Sequence, residues 1–349
     1  MPSKKLEISD VGEKRLIKRL LSRSRRSIPH SLFFKNFFDG NSLKSLDDDA
    51  ALLSLGDQYL VVTSDLLFEP SHFPMKMSPL EKGMKSVVVN LSDLAAMGAR
   101  PLGIFMSMGL PPNLLLEDFD LLVEGILKTC EDYDIALLGG DTNQTNEITL
   151  CGTALGMVDQ DKVLMKYGAQ KGDLVAVTGN LGSAAAGFEV LSLDDSVMEV
   201  FNPGEKDEIL KTVLQPEARV KEGRILAESN ATSCTDISDG LVSELGEIIA
   251  ANEEKIGIRF YEDKIPIRPI LDVVARISGK NIREMVMYYG EDFELLFTIN
   301  SKDFGYLKEK MEVHVIGEVT SSGRIEMIDK GGETNILVPR GYEHLNKQK

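Results

Sequence analysis

The chain has 349 residues, and this length predicts two domains of roughly 150 residues each, because one hydrophobic core rarely spans more. Hydrophobic residues make up 43% and charged residues 27%, which excludes a disordered or fibrous chain and predicts a globular protein. Since 39 Lys and Arg face 55 Asp and Glu, the formal net charge is −16, which argues against nucleic acid as a partner.

Cysteine spacing and hydropathy indicate the compartment. Cys130, Cys151 and Cys234 are far apart, so neither a disulfide framework nor a zinc site of the usual spacing is expected. No apolar run approaches the roughly 20 residues needed to cross a bilayer, and the first residues (MPSKKLEISD) contain no apolar signal core. We therefore expect a cytoplasmic protein with no membrane partner.

The first predicted element is an amphipathic helix in the basic segment 14–26 (KRLIKRLLSRSRR), whose apolar residues recur at helical spacing. We interpret its basic face as solvated surface, not as a membrane or RNA tether. The next element is a strand at 58–65 (QYLVVTSD), which we expect to end in a polar loop carrying Thr63, Ser64 and Asp65.

Helix signals follow further along the chain. The segment 78–81 (SPLE) predicts a capping box with Pro at the first helical position, and hence a helix over 79–97. A second helix, over 115–132, leads into a strand at 135–138 and a turn at Gly139-Gly140. A further strand is expected at 148–158.

The order of elements predicts the fold class. Helices and strands mix without a regular β-α-β period, which favours an α/β (α+β) fold of two mixed α/β sandwich domains over a barrel or a doubly wound sheet. A polar, turn-rich segment at 158–172 precedes a fresh strand at 173–179. We therefore place the boundary near residue 160, with domains 1–160 and 161–349.

Six short segments place carboxylates beside Gly, Ser, Thr or Ala. They are LDDDAAL (46–52), TSD (63–65), NLSD (90–93), GGDT (139–142), DISDG (236–240) and GEDFE (290–294). Hard oxygens of this kind coordinate Mg²⁺, usually together with substrate phosphates. One such segment alone is more often a turn or a helix cap, but six together favour a metal site.

Individual residues support this hypothesis to different degrees. Asn90 and Asp93 share one face of the predicted 79–97 helix. Ser238 and Asp239 precede a predicted helix, where backbone N–H groups favour an anion such as phosphate, although either residue could simply cap that helix. His72 is either a substrate contact or a surface histidine.

The segments DDAALL, TSD, NLSDLAAMGARP, LLGGDT, VTGNLGSAAAG, DISDGL, GEDFELLF and GYEHL, in this order and spacing, closely resemble the thiamine-monophosphate kinase family. This family belongs to the aminoimidazole-ribonucleotide-synthetase-like superfamily, and the match runs from about residue 46 to 344. The resemblance implies a homodimeric kinase that transfers the γ-phosphoryl group of ATP to thiamine monophosphate, giving thiamine diphosphate and ADP. It also implies several Mg²⁺ ions and an ATP site near the N-terminal domain interface.

The resemblance assigns roles to individual residues. The implied metal ligands are Asp49, Thr63, Ser64, Asp65, Asp93, Asp141, Asp236 and Asp239. The implied ATP contacts are Gly140, Asp141, Lys166 and Ser238, and the implied thiamine monophosphate contacts are His72, Glu291 and Tyr342. The implied catalytic residues are Asp65, Asp93 and Asp141.

Three positions depart from the family pattern. Asp47 replaces a Gly before the first Asp pair, Lys166 replaces an Arg on the nucleotide, and Tyr289 replaces the first Gly of GGED. The change at Lys166 matters most, because Lys keeps the charge of Arg but loses its bidentate fork.

Two alternatives stay open at this point. Aminoimidazole ribonucleotide synthetase belongs to the same superfamily, and a non-catalytic acidic metal-binding protein would also explain the carboxylates. Selenophosphate synthetase and the hydrogenase-maturation relatives are disfavoured, because no cysteine lies before Cys130 or after Cys234. Walker-type NTPases and Rossmann dehydrogenases are disfavoured because their glycine-rich motifs are absent from the sequence.

Overall fold

The computed structural model describes residues 8–24, 36–193 and 200–342. Its strands are β1 Ala51–Leu55, β2 Gln58–Phe68, β3 Arg100–Leu110, β4 Ala136–Gly139, β5 Thr142–Gln144, β6 Thr149–Asp159, β7 Leu174–Val177, β8 Ala231–Asp236, β9 Gly257–Tyr261, β10 Leu295–Ile299, β11 His314–Thr320, β12 Ile325–Ile328 and β13 Thr334–Leu337. Its α-helices are α1 Glu13–Ser24, α2 Gly40–Lys44, α3 Glu69–His72, α4 Pro79–Ala96, α5 Leu116–Asp132, α6 Ser183–Ser192, α7 Pro203–Leu214, α8 Val220–Glu228, α9 Leu241–Ala251, α10 Ile270–Ser278, α11 Ile282–Tyr288 and α12 Ser301–Lys308.

The first six strands form one sheet in the order β1-β2-β6-β3-β4, with β5 paired to β3. Buried residues alternate along β6, as expected for a sheet with one covered face. Helices α4 and α5 pack closely on each other, and α4 also packs on β2, β3 and β6. Their close approach requires glycine, because a Cβ at Gly125 would lie 1.9 Å from the Leu80 carbonyl oxygen.

The other seven strands form a second sheet in the order β13-β12-β9-β11-β7-β10-β8. The pairing of β12 with β9 is parallel and the remaining pairs are antiparallel. Residues of α6, α9, α10 and α11 share its main hydrophobic core with the strands. Two sheets, each packed against helices, confirm the predicted fold class. The domain boundary near residue 160 stays a prediction.

The predicted capping box is present. Ser78 Oγ accepts from Glu81 N–H at 3.3 Å, and Glu81 Oε2 accepts from Ser78 N–H at 2.8 Å, so α4 begins at Pro79 as expected. The basic N-terminal helix is also present as α1, while residues 25 and 26 of the predicted element lie outside the described residues.

The polar loop predicted at 63–65 is wrong. Strand β2 continues to Phe68, because β6 pairs with it along its whole length. Neighbouring residues of a strand point to opposite faces, so Thr63 and Asp65 share one face and Ser64 lies on the other. Among the described residues, no helix is long and apolar enough to span a bilayer.

Candidate active site

Four aspartates from separate elements lie close together, and we call Asp49, Asp65, Asp93 and Asp236 the acid cluster. Asp49 precedes β1, Asp65 is in β2, Asp93 is near the end of α4 and Asp236 ends β8. Carboxylate oxygens of Asp49, Asp93 and Asp236 lie within 4.8 Å of one another. Asp65 is close enough for its charge to act on Asp93. Folding therefore joins four of the six acidic segments.

Hydroxyl and amide groups hold these carboxylates in place. Ser92 Oγ donates to Asp236 Oδ2 at 2.5 Å, and Thr63 Oγ1 donates to Asp93 Oδ2. Asn90 Oδ1 accepts from the Asp65 backbone N–H at 3.1 Å, while Asn90 Nδ2 donates to a carbonyl of its own helix. Asn90 is thus committed to positioning β2 against α4.

Burial, followed by repulsion from neighbouring carboxylates, raises the pKa of Asp65, Asp93 and Asp236. Burial and the neighbouring charge of Asp49 raise the pKa of Asp65 to about 6 and that of Asp236 to about 7. Burial and the charges of Asp65, Asp236 and Asp49 hold the pKa of Asp93 well above its usual range. Bringing these carboxylates together therefore favours any cation that binds between them.

Lys166 supplies one positive charge at the edge of the cluster. Its Nζ lies 2.8 Å from Asp49 Oδ1, and its backbone N–H donates to Asp48 Oδ2 at 3.0 Å. Burial and the charge of Asp49 raise the pKa of Asp48 to about 7. Asp49 Oδ2 is buried without a hydrogen-bond partner among the described residues. Lys166 therefore offsets part of the negative charge of the acid cluster and leaves Asp49 Oδ2 available to a cation.

The donor set of the cluster fits Mg²⁺. Mg²⁺ takes carboxylate oxygens, completes its shell with water and phosphate oxygens, and requires few protein ligands. The converging oxygens of Asp49, Asp93 and Asp236 meet this description, and the orphaned Asp49 Oδ2 is an oxygen that an ion would satisfy. The cluster can therefore bind divalent cations together with phosphate groups.

A second set of residues, His72, Lys85 and Glu291, forms what we call the Lys85 group. Lys85 Nζ donates to Glu291 Oε2 at 2.6 Å and to the His72 carbonyl at 2.7 Å. The Lys85 side chain is 1% exposed, and a buried ammonium needs such partners. This ion pair brings together His72 and Glu291, two of the three implied thiamine monophosphate contacts.

The DISDG segment lies against Tyr342, the third implied thiamine monophosphate contact, and also against Glu291. Glu291 N–H donates to the Ser238 carbonyl at 2.9 Å, and Tyr342 N–H donates to the Asp239 carbonyl at 3.0 Å. The interpretation that Ser238 or Asp239 caps α9 is wrong, since the N-cap is Gly240 and no side chain in the described part of the chain caps this helix. Residues 343–345 of the GYEHL segment lie outside the described residues.

Some of the expected site residues lie apart from the cluster. Asp141 is exposed, its carboxylate accepts from Asn143 Nδ2 at 3.1 Å, and it is not among the three converging aspartates. Asp239 faces Lys14 of α1 at 3.9 Å. Ser64 Oγ donates to the Gly152 carbonyl at 2.8 Å on the opposite sheet face. The roles predicted for these residues stay predictions.

A glycine is required at Gly140. A Cβ there would lie 1.8 Å from the Met106 carbonyl oxygen, so any side chain would push the segment that carries Asp141 away from β3. The geometry therefore explains Gly140 by backbone packing, and its predicted ATP contact stays a prediction.

The sequence interpretation missed Asp48, Lys85 and Glu244. Burial holds the pKa of Glu244 well above its usual range, and its Oε1 accepts from the Asp239 backbone N–H at 3.3 Å. Lys85 and Glu244 each lie on the buried face of a helix, at helical spacing from buried neighbours. A charged residue on an apolar helix face was the signal that would have identified both.

Comparison with known proteins places this geometry in a family. Residues 47–158 match the N-terminal domain, and residues 170–330 the C-terminal domain, of AIR synthase related proteins. The chain is 35% identical over 317 residues to a thiamine-monophosphate kinase of Pyrococcus abyssi, covering 90% of this chain and 94% of the relative. For the Escherichia coli thiamine-monophosphate kinase, the identity is 31% over 309 residues, with 86% and 91% covered.

Solved structures agree with this assignment. AaThiL complexed with AMPPCP and TMP superposes with a TM-score of 0.82 at 25% identity, covering 98% of this chain and 100% of that chain. The thiamine-monophosphate kinase of Stenotrophomonas maltophilia superposes with a TM-score of 0.70 at 29% identity, covering 92% and 96%.

Proposed function

Because the chain belongs to the thiamine-monophosphate kinase family, within the AIR synthase related proteins, we propose that it transfers the γ-phosphoryl group of ATP to thiamine monophosphate. The products are thiamine diphosphate and ADP. The observation that carries this proposal is that α4 contributes one residue to the acid cluster, Asp93, and one to the Lys85 group, Lys85 itself. The fold in which this occurs is that of a protein seen with AMPPCP and TMP. The reactants are thus ATP and thiamine monophosphate.

Several Mg²⁺ ions are part of this proposal. Asp49, Asp65, Asp93 and Asp236 would hold them, with Thr63 Oγ1 fixing the orientation of Asp93. Bound there, Mg²⁺ supplies the neutralisation that two phosphorylated reactants need in a chain of net charge −16. The acceptor phosphate is already ionised near neutral pH, so the reaction needs no general base among the described residues.

The remaining residues orient the acceptor. Lys85 fixes the Glu291 carboxylate at 2.6 Å, and Glu291 has a left-handed backbone with φ of 66°. The next residue back, Gly290, lies so close to the Ser238 carbonyl that a Cβ would be 1.8 Å away. Glu291 is therefore held close to the DISDG segment, which begins with Asp236.

A homodimer is also part of the proposal, and it is supported by the face of the first sheet on which the described residues leave apolar side chains exposed. Leu66 in β2 is 58% exposed and Phe105 in β3 is 42% exposed, on the face opposite α4. Apolar side chains on an open sheet face favour association with a second copy. We expect the protein to work in a reducing cytoplasm, in keeping with its three free cysteines.

One reaction tests the proposed function. Pure protein is mixed with ATP, Mg²⁺ and thiamine monophosphate, and thiamine diphosphate is measured by chromatography. We expect thiamine diphosphate and ADP in equal amounts. ATP turnover only with the substrate of aminoimidazole ribonucleotide synthetase would favour that alternative, and metal binding without any ATP turnover would favour a metal-binding protein.

A further inference from the structure

Two aromatic side chains lie beside the Lys85 group. The ring centroids of Phe188 and Tyr289 are 5.7 Å apart, with the planes at 46°, which is the spacing of a packed aromatic pair. Lys85 Nζ lies 5.4 Å from the Phe188 ring centroid while it pairs with Glu291. Phe188 thus packs against both Lys85 and Tyr289, and Tyr289, 39% exposed, presents ring surface to solvent.

Tyr289 also lies among the residues expected to contact the acceptor. It is two residues before Glu291 in the chain. Burial, and then the nearby charges of Glu291, Glu189 and the ionisable Tyr342, hold the pKa of the Tyr289 hydroxyl above its usual range. The Tyr289 side chain is therefore close to Glu291 and Tyr342, two of the three implied thiamine monophosphate contacts.

The charge balance at this point favours an aromatic contact for the acceptor. Thiamine monophosphate carries a cationic thiazolium ring and a flat pyrimidine. The negative charge of Glu291 is already balanced by Lys85 at 2.6 Å, so attraction of the thiazolium to this carboxylate is reduced. The face of an aromatic ring attracts a cation and stacks on a flat ring without a further carboxylate.

We propose that Tyr289, supported by Phe188, is a specificity-determining residue of this enzyme, whose ring contacts the thiamine rings of the acceptor. The inference rests on the proposed function and adds a contact to it. Phe188 and Lys85 act as positioning residues, since they support the ring and Glu291.

Calorimetric titration of thiamine monophosphate in the presence of Mg²⁺, together with steady-state kinetics, tests this inference. We expect Tyr289→Ala and Tyr289→Leu to weaken binding roughly tenfold, because both remove the ring while Leu keeps apolar packing on Phe188. Tyr289→Phe keeps the ring and should bind within about twofold of the wild type. The control is Tyr306→Ala, which removes an exposed tyrosine from α12. This variant should change neither the affinity for thiamine monophosphate nor the steady-state kinetics.

The kinetic pattern separates substrate contact from a structural role. A ring that lies away from the transferred phosphoryl group stabilises ground and transition states alike, so Tyr289→Ala should raise KM for thiamine monophosphate and leave kcat and KM for ATP unchanged. Unaltered binding by Tyr289→Ala, or an equal loss with Tyr289→Phe, would overturn the inference while wild-type turnover preserves the proposed function. A wild-type protein that neither binds nor phosphorylates thiamine monophosphate would overturn both.

Discussion

The Asp93 side chain lies half-buried among three other carboxylates, so its position serves the site but costs stability. Its pKa is held well above its usual range by burial and by Asp65, Asp236 and Asp49. Such a group is costly to ionise unless a cation is bound nearby. Single residues of this site therefore combine a functional gain with a cost in folding free energy.

Replacement of Asp93 tests this balance. We expect Asp93→Asn to lower kcat roughly a hundredfold or more, because an amide supplies no charge for the cation at the reacting phosphates. The same change should raise the melting temperature in the presence of EDTA at pH 8, because it removes a half-buried charge that neighbouring carboxylates repel. Steady-state kinetics and calorimetry measure the two effects.

A surface aspartate provides the control for this variant. Asp132→Asn alters only an exposed i,i+4 pair with Lys128 and should leave both kcat and the melting temperature close to those of the wild type. An Asp93→Asn enzyme that keeps its activity without metal would contradict the assigned role.

The raised pKa values also predict a pH-dependent effect of Mg²⁺ on stability. In the unfolded chain aspartates titrate at about pH 4, whereas in the fold the pKa of Asp65 is raised to about 6 and that of Asp236 to about 7. The folded state thus binds protons more tightly, so the metal-free free energy of unfolding should fall as the pH rises from about 4 through about 7.

Mg²⁺ takes the place of those protons. The rise in melting temperature on adding Mg²⁺ should therefore be larger at pH 8 than at pH 5.5, where the carboxyls are still partly protonated. Scanning calorimetry with Mg²⁺ or EDTA at each pH measures the difference. An equal rise at both pH values would show that the acid cluster is not where the ion binds.

At the scale of elements, the packing of α4 on α5 sets the position of Asp93. A Cβ at Gly125 would lie 1.9 Å from the Leu80 carbonyl oxygen, so the two helices touch through their backbones. The capping box at Ser78 defines where α4 begins, and the helix then carries Lys85 and Asp93 to the two parts of the site. The positions of Lys85 and Asp93 in the site thus both depend on α4.

Substitution of Gly125 by Ala tests this contact. In an exposed helix the change would stabilise by about 1 kcal/mol, but here the added methyl group should destabilise by about 1–3 kcal/mol, since the helices must separate. Urea unfolding measures the free energy. The control is Gly305→Ala in α12, where a Cβ meets no atom of the described residues within 4 Å and a small gain in stability is expected. Equal gains at both positions would contradict the close packing.

At the scale of the whole molecule, one face of the first sheet is covered by α4 and the other carries exposed apolar side chains. Leu66 and Phe105 lie on neighbouring parts of this open face, on strands that both pair with β6. A sheet face of this kind is a ready surface for a second copy of the chain. The proposed homodimer would bury it.

A charge on this face should prevent dimer formation. We expect wild-type protein to have the mass of a dimer by light scattering at micromolar concentration, and Phe105→Glu to have the mass of a monomer, because burial of an unpaired carboxylate is costly. Leu116→Glu places the same charge on an exposed site of α5 and should leave the dimer intact. A monomeric, fully active wild type would count against the proposal.

The sequence by itself determined the elements whose ends are set by local chemistry. It also determined the family, because the order of its motifs identifies that family. The capping box at 78–81 links residues three apart, so α4 was predictable to within one residue of its end. The order and spacing of eight motifs, from DDAALL to GYEHL, sufficed to identify the thiamine-monophosphate kinase family, as the relatives confirm.

Only the tertiary structure decided which of those segments meet. Lys85 and Glu291 are 206 residues apart in the chain, and the strand that carries Thr63 and Asp65 extends to Phe68 only because β6 pairs with it. Lys166 likewise finds Asp49 across the fold, at 2.8 Å. Such contacts arise from packing between distant segments, which local propensity does not encode, and they determine where the charges of the site lie.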